Sequence, residues 1–224
     1  MAKTNLKTLA YTKLKDKIIH CEYKPGTNLN EEILIEELQI GRTPIRDALG
    51  RLEQEGLVKV RPKKGVIVTP LSIKDINMIY EIRNLYEPYI LIHYGSFISE
   101  NKLNEFYDIF IQKKQLLDNT NSTESYKLDS EFHNCIVSAC PNTYLQHNYQ
   151  LIQNQSERFR YMTGTDSIAR VKETFKEHID IIIPCLQKDW DTAAEKMIVH
   201  LKESKKASFK LIFESIDDTD IGFM

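Results

Sequence analysis

From Ser72 onward the sequence never alternates apolar and polar residues as a half-buried strand does; it repeats apolar positions at helical spacing through six long segments. These run over residues 72–95, 100–118, 122–139, 142–163, 167–187 and 190–214. Helices that carry an apolar stripe and have no sheet to cover bury it against one another, so the pattern predicts an all-α antiparallel bundle of about six helices. Ser72-Ile73-Lys74-Asp75 has the form of a capping box that opens the first of them. Pro184 falls inside the segment that carries His178, where it lacks a donor and crowds the turn at Asp180, and so predicts a bend.

The first 71 residues read differently. Leu6, Leu9, Leu14 and Ile18 mark a first helix, ended by the turn Tyr23-Lys24-Pro25-Gly26. Asn30 caps a short second helix whose apolar face is Ile33, Leu34 and Leu38. The break Gln39-Ile40-Gly41-Arg42 leads to a third helix, with Thr43 as cap, Pro44 in its first turn, Ile45, Leu49 and Leu52 on one face, and Gly56 as its stop. Leu57-Val58-Lys59-Val60 and Gly65-Val66-Ile67-Val68-Thr69 are β-branched runs joined by the basic tip Arg61-Pro62-Lys63-Lys64, a hairpin. The fold class expected is therefore mainly α, with three helices plus a β-hairpin in a winged helix-turn-helix followed by the bundle. The domains expected are 1–71, 72–216 and a tail over 217–224.

Three helices with a tight turn before the third, followed by a hairpin, form the geometry that places one helix in the major groove of DNA. The first turn of that helix carries Arg42, Thr43, Pro44 and Arg46, and arginine donates two parallel hydrogen bonds to guanine. Lys63, Lys64 and Gly65 at the hairpin tip combine two cations with a residue that lets backbone approach a phosphate closely. Taken singly, each of these charges would serve as well on a solvated surface; their joint order selects DNA. The overall net charge of −2 conceals an asymmetry, since residues 1–70 hold 13 Lys and Arg against 9 Asp and Glu, and the remainder 17 against 23. The basic excess lies in the part expected to meet phosphate.

Asp129 and His133, four apart on a helix, share one face and can close on a single ion. His178 and His200 stand on two later helices, each beside apolar residues that turn toward the bundle interior. Three imidazoles and one carboxylate suit zinc first, with nickel, manganese or iron as alternatives, and leave positions open for water or a ligand carboxylate. Histidines isolated on helices serve equally well as hydrogen-bonded core residues, and spacing alone does not separate the two. Glu131 and Glu177 adjoin ligands in sequence and are expected to point elsewhere. Cys140, about 10 Å along the helix from His133, is expected to be no ligand.

The run Gly41-Arg42-Thr43-Pro44-Ile45-Arg46-Asp47-Ala48-Leu49 through Leu52-Glu53-Gln54-Glu55-Gly56-Leu57-Val58 resembles the recognition helix of the GntR family. That family usually has Ser or Thr where Gly41 stands, and some fatty-acid-responsive members have a DNA-contacting arginine at the position of Glu32. Residues from about 75 to 210 resemble the FadR-type C-terminal domain, the FCD branch, in the Asp-x-x-x-His motif, the Glu-His helix, and the last helix with Ala193, Ala194, Met197, His200 and Leu201. The resemblance implies membership of a metal-binding subgroup with Asp129, His133, His178 and His200 as ligands. It also places Arg83 and Glu87 on the first helix of the sensor domain. Arg83 would there grip a small carboxylate effector beside the metal, or else pair with Glu87 across one helix face.

Together these readings predict a transcriptional regulator, not an enzyme, that binds double-stranded palindromic operator DNA as a homodimer. Two rivals stand beside it: an ion that is purely structural or is itself the signal, and a metal-dependent enzyme acting on small organic acids. No apolar run reaches the length of a membrane span, and no charged-then-apolar leader is present, so a cytoplasmic protein without membrane contact is expected. Cys21, Cys135, Cys140 and Cys185 form no CxxC pair and are expected to be reduced, buried thiols.

Overall fold

A computed structural model describes residues 5–61, 65–116, 122–163 and 167–217. The chain divides into two compact units, Met1–Ser72 and Ile73–Met224.

In the first unit α1 (Leu6–Ile19) starts at Asn5, whose side chain accepts from Lys7 N, and α2 (Glu31–Leu38) starts at Asn30, which accepts from Glu32 N. Gln39 takes a left-handed conformation with φ 55° and ends α2, so that α3 (Arg42–Gln54) sets off in a new direction after three residues. Its cap is Gly41, which makes no side-chain cap bond, so the helix begins one residue before the expected Thr43 cap. Gly56, at φ 72°, turns the chain into β2 (Val58–Arg61), which pairs antiparallel with β3 (Gly65–Val68) as Val58↔Val68 and Val60↔Val66. A two-residue strand β1 (Asn28–Leu29) adds to the far edge of β3, giving the order β1-β3-β2. Nothing in so short a segment announces a strand; its partner recruits it.

Leu14, Ile18, Leu34, Ile45, Leu49, Leu52, Leu57 and Val68 form the core of this unit. Each side chain of that size contributes about 1.5–3 kcal/mol when removed from water. Leu6 and Ile33, assigned to apolar faces by spacing, are instead 54% and 60% exposed, lying at or next to helix starts where one more turn of neighbours would be needed to cover them.

The second unit is helical throughout its described residues: α4 (Ile73–Tyr94), a short 3₁₀ turn (Gly95–Phe97), α5 (Glu100–Leu116), α6 (Ser122–Ser138), α7 (Thr143–Thr163), α8 (Ile168–Leu186) and α9 (Trp190–Asp217). Helix α4 packs on α6, α7 and α9, and α8 packs on α5 and α9. Gly95 is required where it stands, because a Cβ there would lie 2.3 Å from the Trp190 ring. Pro184 lies inside α8, which runs as a single element to Leu186 although the proline cannot donate to the carbonyl of Asp180. Pro88 is likewise accommodated inside α4. Cys140 and Cys185 are buried, whereas Cys21 and Cys135 are only half-buried. Among the described residues no helix is long and apolar enough to cross a membrane.

Candidate functional site

Helices α6, α8 and α9 bring Asp129, His133, His178 and His200 together inside the second unit, with one potential ligand atom from each lying within 4.8 Å of the others. All four residues are buried. Nε2 of His133 lies 3.2 Å from Nε2 of His200, and Asp129 Oδ1 lies 3.4 Å from His178 Nε2 and 3.7 Å from His133 Nε2.

Two carboxylates fix the imidazole tautomers. His133 Nδ1 lies 2.6 Å from Glu87 Oε2, and His200 Nδ1 lies 2.7 Å from Glu177 Oε2. A neutral ring that donates through Nδ1 carries its lone pair on Nε2. Two such lone pairs face each other across 3.2 Å, an arrangement that repels unless a cation lies between them. A transition metal about 2.0–2.1 Å from each nitrogen would place two coordinated nitrogens about 3.0–3.4 Å apart, which this spacing fits. His178 supplies a further sign. It is walled by Phe110 and Phe132, with ring centroids at 4.8 and 4.7 Å, and among the described residues neither ring nitrogen makes a well-aligned hydrogen bond, Asp129 Oδ1 standing 3.4 Å from Nε2. A buried acceptor left in that condition is costly unless it binds something. The residues fit a metal ion.

The electrostatics point the same way. Burial, with His178 and His133 alongside, holds His200 well below the usual imidazole range, and burial lowers His178 although Asp129 opposes it. Burial would raise Asp129, but Arg160 and the histidines hold it well below the usual carboxylate range. These groups keep the neutral-imidazole, ionised-carboxylate state that a cation requires. The sign for stability follows. Below the ordinary histidine value the unfolded chain takes up protons that folded His178 and His200 refuse, and further into acid the unfolded chain protonates a carboxylate that folded Asp129 keeps ionised. Chelator-treated protein is therefore expected to melt at a lower temperature at pH 5 than at pH 7.5; equal melting temperatures would contradict this assignment of charge.

Several residues that complete the cluster escaped the sequence. Glu177 was expected to point away because it neighbours His178 on α8, but the rotation of about 100° between successive helical residues turns it toward α9 and His200. Arg170 holds the same carboxylate through two bonds, at 2.6 and 3.0 Å. Arg160 binds Asp129 Oδ2 and reaches Ser130 Oγ at 2.8 Å, leaving Asp129 Oδ1 toward the histidines. Tyr149 donates to Glu87 at 2.8 Å. Glu131 lies outside the group, near Lys127 on an exposed face, and Cys140 lies beyond the end of α6.

Arg83 is buried and donates through Nε to Glu87 Oε1 at 2.6 Å, so the pairing alternative describes that nitrogen; its Nη2 has no hydrogen-bond partner among the described residues. Arg83 does not line the small cavity of about 40 Å³ beside Asp129, which is lined instead by Tyr80, Arg160, Arg170, Ser204 and Ser208 among others. That cavity would hold only a few water-sized groups.

In the first unit Arg42, Thr43 and Arg46 are exposed at the start of α3, while Pro44 is half-buried. Arg42 and Arg46 lie opposite acidic residues of α2: Arg46 Nε donates to Glu31 Oε2 at 2.8 Å, and Arg42 Nη2 is 3.7 Å from Glu32 Oε1. Gly65 opens β3 at φ 86°, a conformation that favours glycine. Lys63 and Lys64 lie outside the described residues.

Comparison with known proteins gives two family matches: bacterial regulatory proteins of the gntR family over residues 6–68, and the FCD domain over residues 78–203. The chain is 24% identical to the HTH-type transcriptional repressor RspR of Escherichia coli (strain K12) over 207 residues, 92% of this chain and 90% of that one. Its fold is similar to that of E. coli McbR/YncC, with TM-score 0.79 at 17% identity, covering 93% of this chain and 99% of that one. It is also similar to a solved structure described as a metal-free FCD domain, with TM-score 0.56 at 21% identity, covering 64% of this chain and 98% of that one.

Proposed function

The chain belongs to the GntR family of bacterial transcriptional regulators and carries an FCD domain, and from that premise we propose that its affinity for operator DNA is set by a small carboxylate held at a metal ion in the FCD domain. Residues 1–71 act as the DNA-binding domain and 72–216 as the sensing and dimerisation domain. Arg42, Thr43, Pro44 and Arg46 read base edges and adjoining phosphates at the start of α3, with Lys63, Lys64 and Gly65 as the wing. A homodimer presents two such helices to a palindromic site, because one helix contacts too few bases to select a genomic address. The protein works in the cytoplasm, where its DNA is.

Asp129, His133, His178 and His200 hold the ion, with zinc the first choice for this donor set. Bound there, the ion supplies a Lewis-acidic position for one carboxylate oxygen of the effector. Glu87 and Glu177 orient the ligand imidazoles, and Arg160 orients Asp129. Arg160 and Arg170 give the adjacent cavity its positive lining, and the Nη2 of Arg83 is a further donor for a buried acceptor. The carboxylates nearest the cluster are engaged by histidine and arginine, which leaves neither Glu87 nor Glu177 as a general base and favours sensing over catalysis.

The observation that carries this reading is the convergence of four buried ligand atoms within 4.8 Å, two of their imidazoles tethered by carboxylates. Native mass spectrometry of gently purified protein tests it. The expected species is a dimer with one transition-metal ion per chain and a retained small acid. Folded protein that binds no added zinc, nickel, manganese or iron would overturn the metal assignment.

A further inference from the structure

Helix α2 directs two carboxylates at the arginines to which the reading of bases was assigned, and the stronger of the two contacts has a specific geometry. We propose that Glu31 is a positioning residue that sets operator specificity by holding Arg46 through Nε, so that the terminal fork of its guanidinium faces the guanine it reads. The inference rests on the reading of α3 as the groove-entering helix.

The contact is held from several sides. Glu31 opens α2, and Asn30 caps that first turn by accepting from Glu32 N at 2.8 Å. Leu34 and Leu38 of α2 share one buried core with Ile45 and Leu49 of α3, so the two helix starts are fixed relative to each other. The side chain of Glu31 is only 32% exposed, whereas that of Arg46 is 62% exposed. An exposed ion pair contributes little to folding. A carboxylate at a surface that meets a polyanion also repels it. Stability is thus a poor reason for Glu31 to stand there.

The atoms used supply a better one. Arginine reads guanine O6 and N7 with two parallel donors. With Nε bonded to Glu31 at 2.8 Å, Nη1 and Nη2 remain as that pair. Holding the guanidinium beforehand reduces the ordering cost of the bidentate contact. The same carboxylate competes with any single phosphate for Arg46, which weakens sequence-independent binding. Glu32, 3.7 Å from Arg42 and far more exposed, has no such hold and serves as the internal comparison.

The test begins with duplexes selected from a randomised pool by the wild-type protein. Wild type, Glu31→Gln, Glu32→Gln, Arg46→Ala and the Glu31→Gln/Arg46→Ala double variant are then titrated on the selected duplex, on versions with each guanine in turn replaced by 7-deazaguanine, and on random-sequence DNA. Arg46→Ala is expected to abolish discrimination at one guanine. Glu31→Gln should reduce discrimination at that same guanine about tenfold, raise affinity for random DNA, and add nothing further in the double variant. Glu32→Gln should leave that guanine's discrimination unchanged. Glu31→Gln with wild-type discrimination everywhere, beside an Arg46→Ala variant that loses it at one position, would overturn the positioning role. Wild-type discrimination in Arg46→Ala would instead overturn the reading of α3. Glu31→Ala repeats the test should the glutamine variant fail to fold.

Discussion

Replacing His133 with alanine is expected to weaken metal binding about a hundredfold and to cut the chelator-induced drop in melting temperature to about a third. Structural zinc sites carry about 10–16 kcal/mol of apparent binding free energy near neutral pH. A quarter of that for one of four ligands is about 3 kcal/mol, or roughly a hundredfold. At a thousandfold excess of free metal over its dissociation constant, the ion stabilises the wild-type fold by about 4 kcal/mol. For a unit the size of Ile73–Met224 this amounts to a shift on the order of 10 °C. At the same free metal a hundredfold weaker site is still in about tenfold excess and gives about 1.4 kcal/mol, so chelator should lower the melting temperature of His133→Ala by only about a third as much as that of the wild type. His133 is the residue to change, because Glu87→Gln would also strip buried Arg83 of its partner and confound the result. Unaltered metal affinity in folded His133→Ala, measured by competition against a coloured chelator, would remove His133 from the ligand set.

Arg46→Ala is expected to weaken binding to a selected operator by about 1–3 kcal/mol, roughly 5- to 150-fold, without changing the melting temperature. The two expectations share one cause. Arg46 is exposed and makes its ion pair at the surface, so the fold loses almost nothing with it. A bidentate base contact made away from water depends on the whole guanidinium. Fluorescence anisotropy at fixed salt would measure the loss. An unchanged dissociation constant would remove Arg46 from the reading surface.

What the sequence disclosed and what it withheld follow from the range of the interactions involved. Helix-scale periodicity is local, so the long segments from α4 to α9 were legible to within a few residues. β1 was not, since two residues carry no period and Asn28–Leu29 becomes a strand only against Val66 and Ile67. The start of α3 was placed two residues late because Thr43 has a capping side chain and Gly41 has none. In the candidate site, Asp129 and His133 were readable from a spacing of four, whereas His178 and His200 could be picked out only by the apolar residues beside them, and family resemblance was needed to join them to the pair. The groups that orient them were harder still. Glu87 reaches His133 across 46 residues and Glu177 reaches His200 across 23, and both contacts depend on how each helix is rotated about its axis, which composition does not record. Arg160 and Arg170 look in sequence like ordinary solvated charges. Only the packed bundle turns them onto Asp129 and Glu177.

The most direct measurement of effector-controlled DNA binding is the operator affinity of metal-loaded protein titrated with a panel of small carboxylates, repeated on protein stripped by chelator. At least one acid should change the affinity of the loaded protein several-fold or more, and none should do so after stripping. Identical affinity with every acid, loaded or stripped, would contradict the coupling between the two domains.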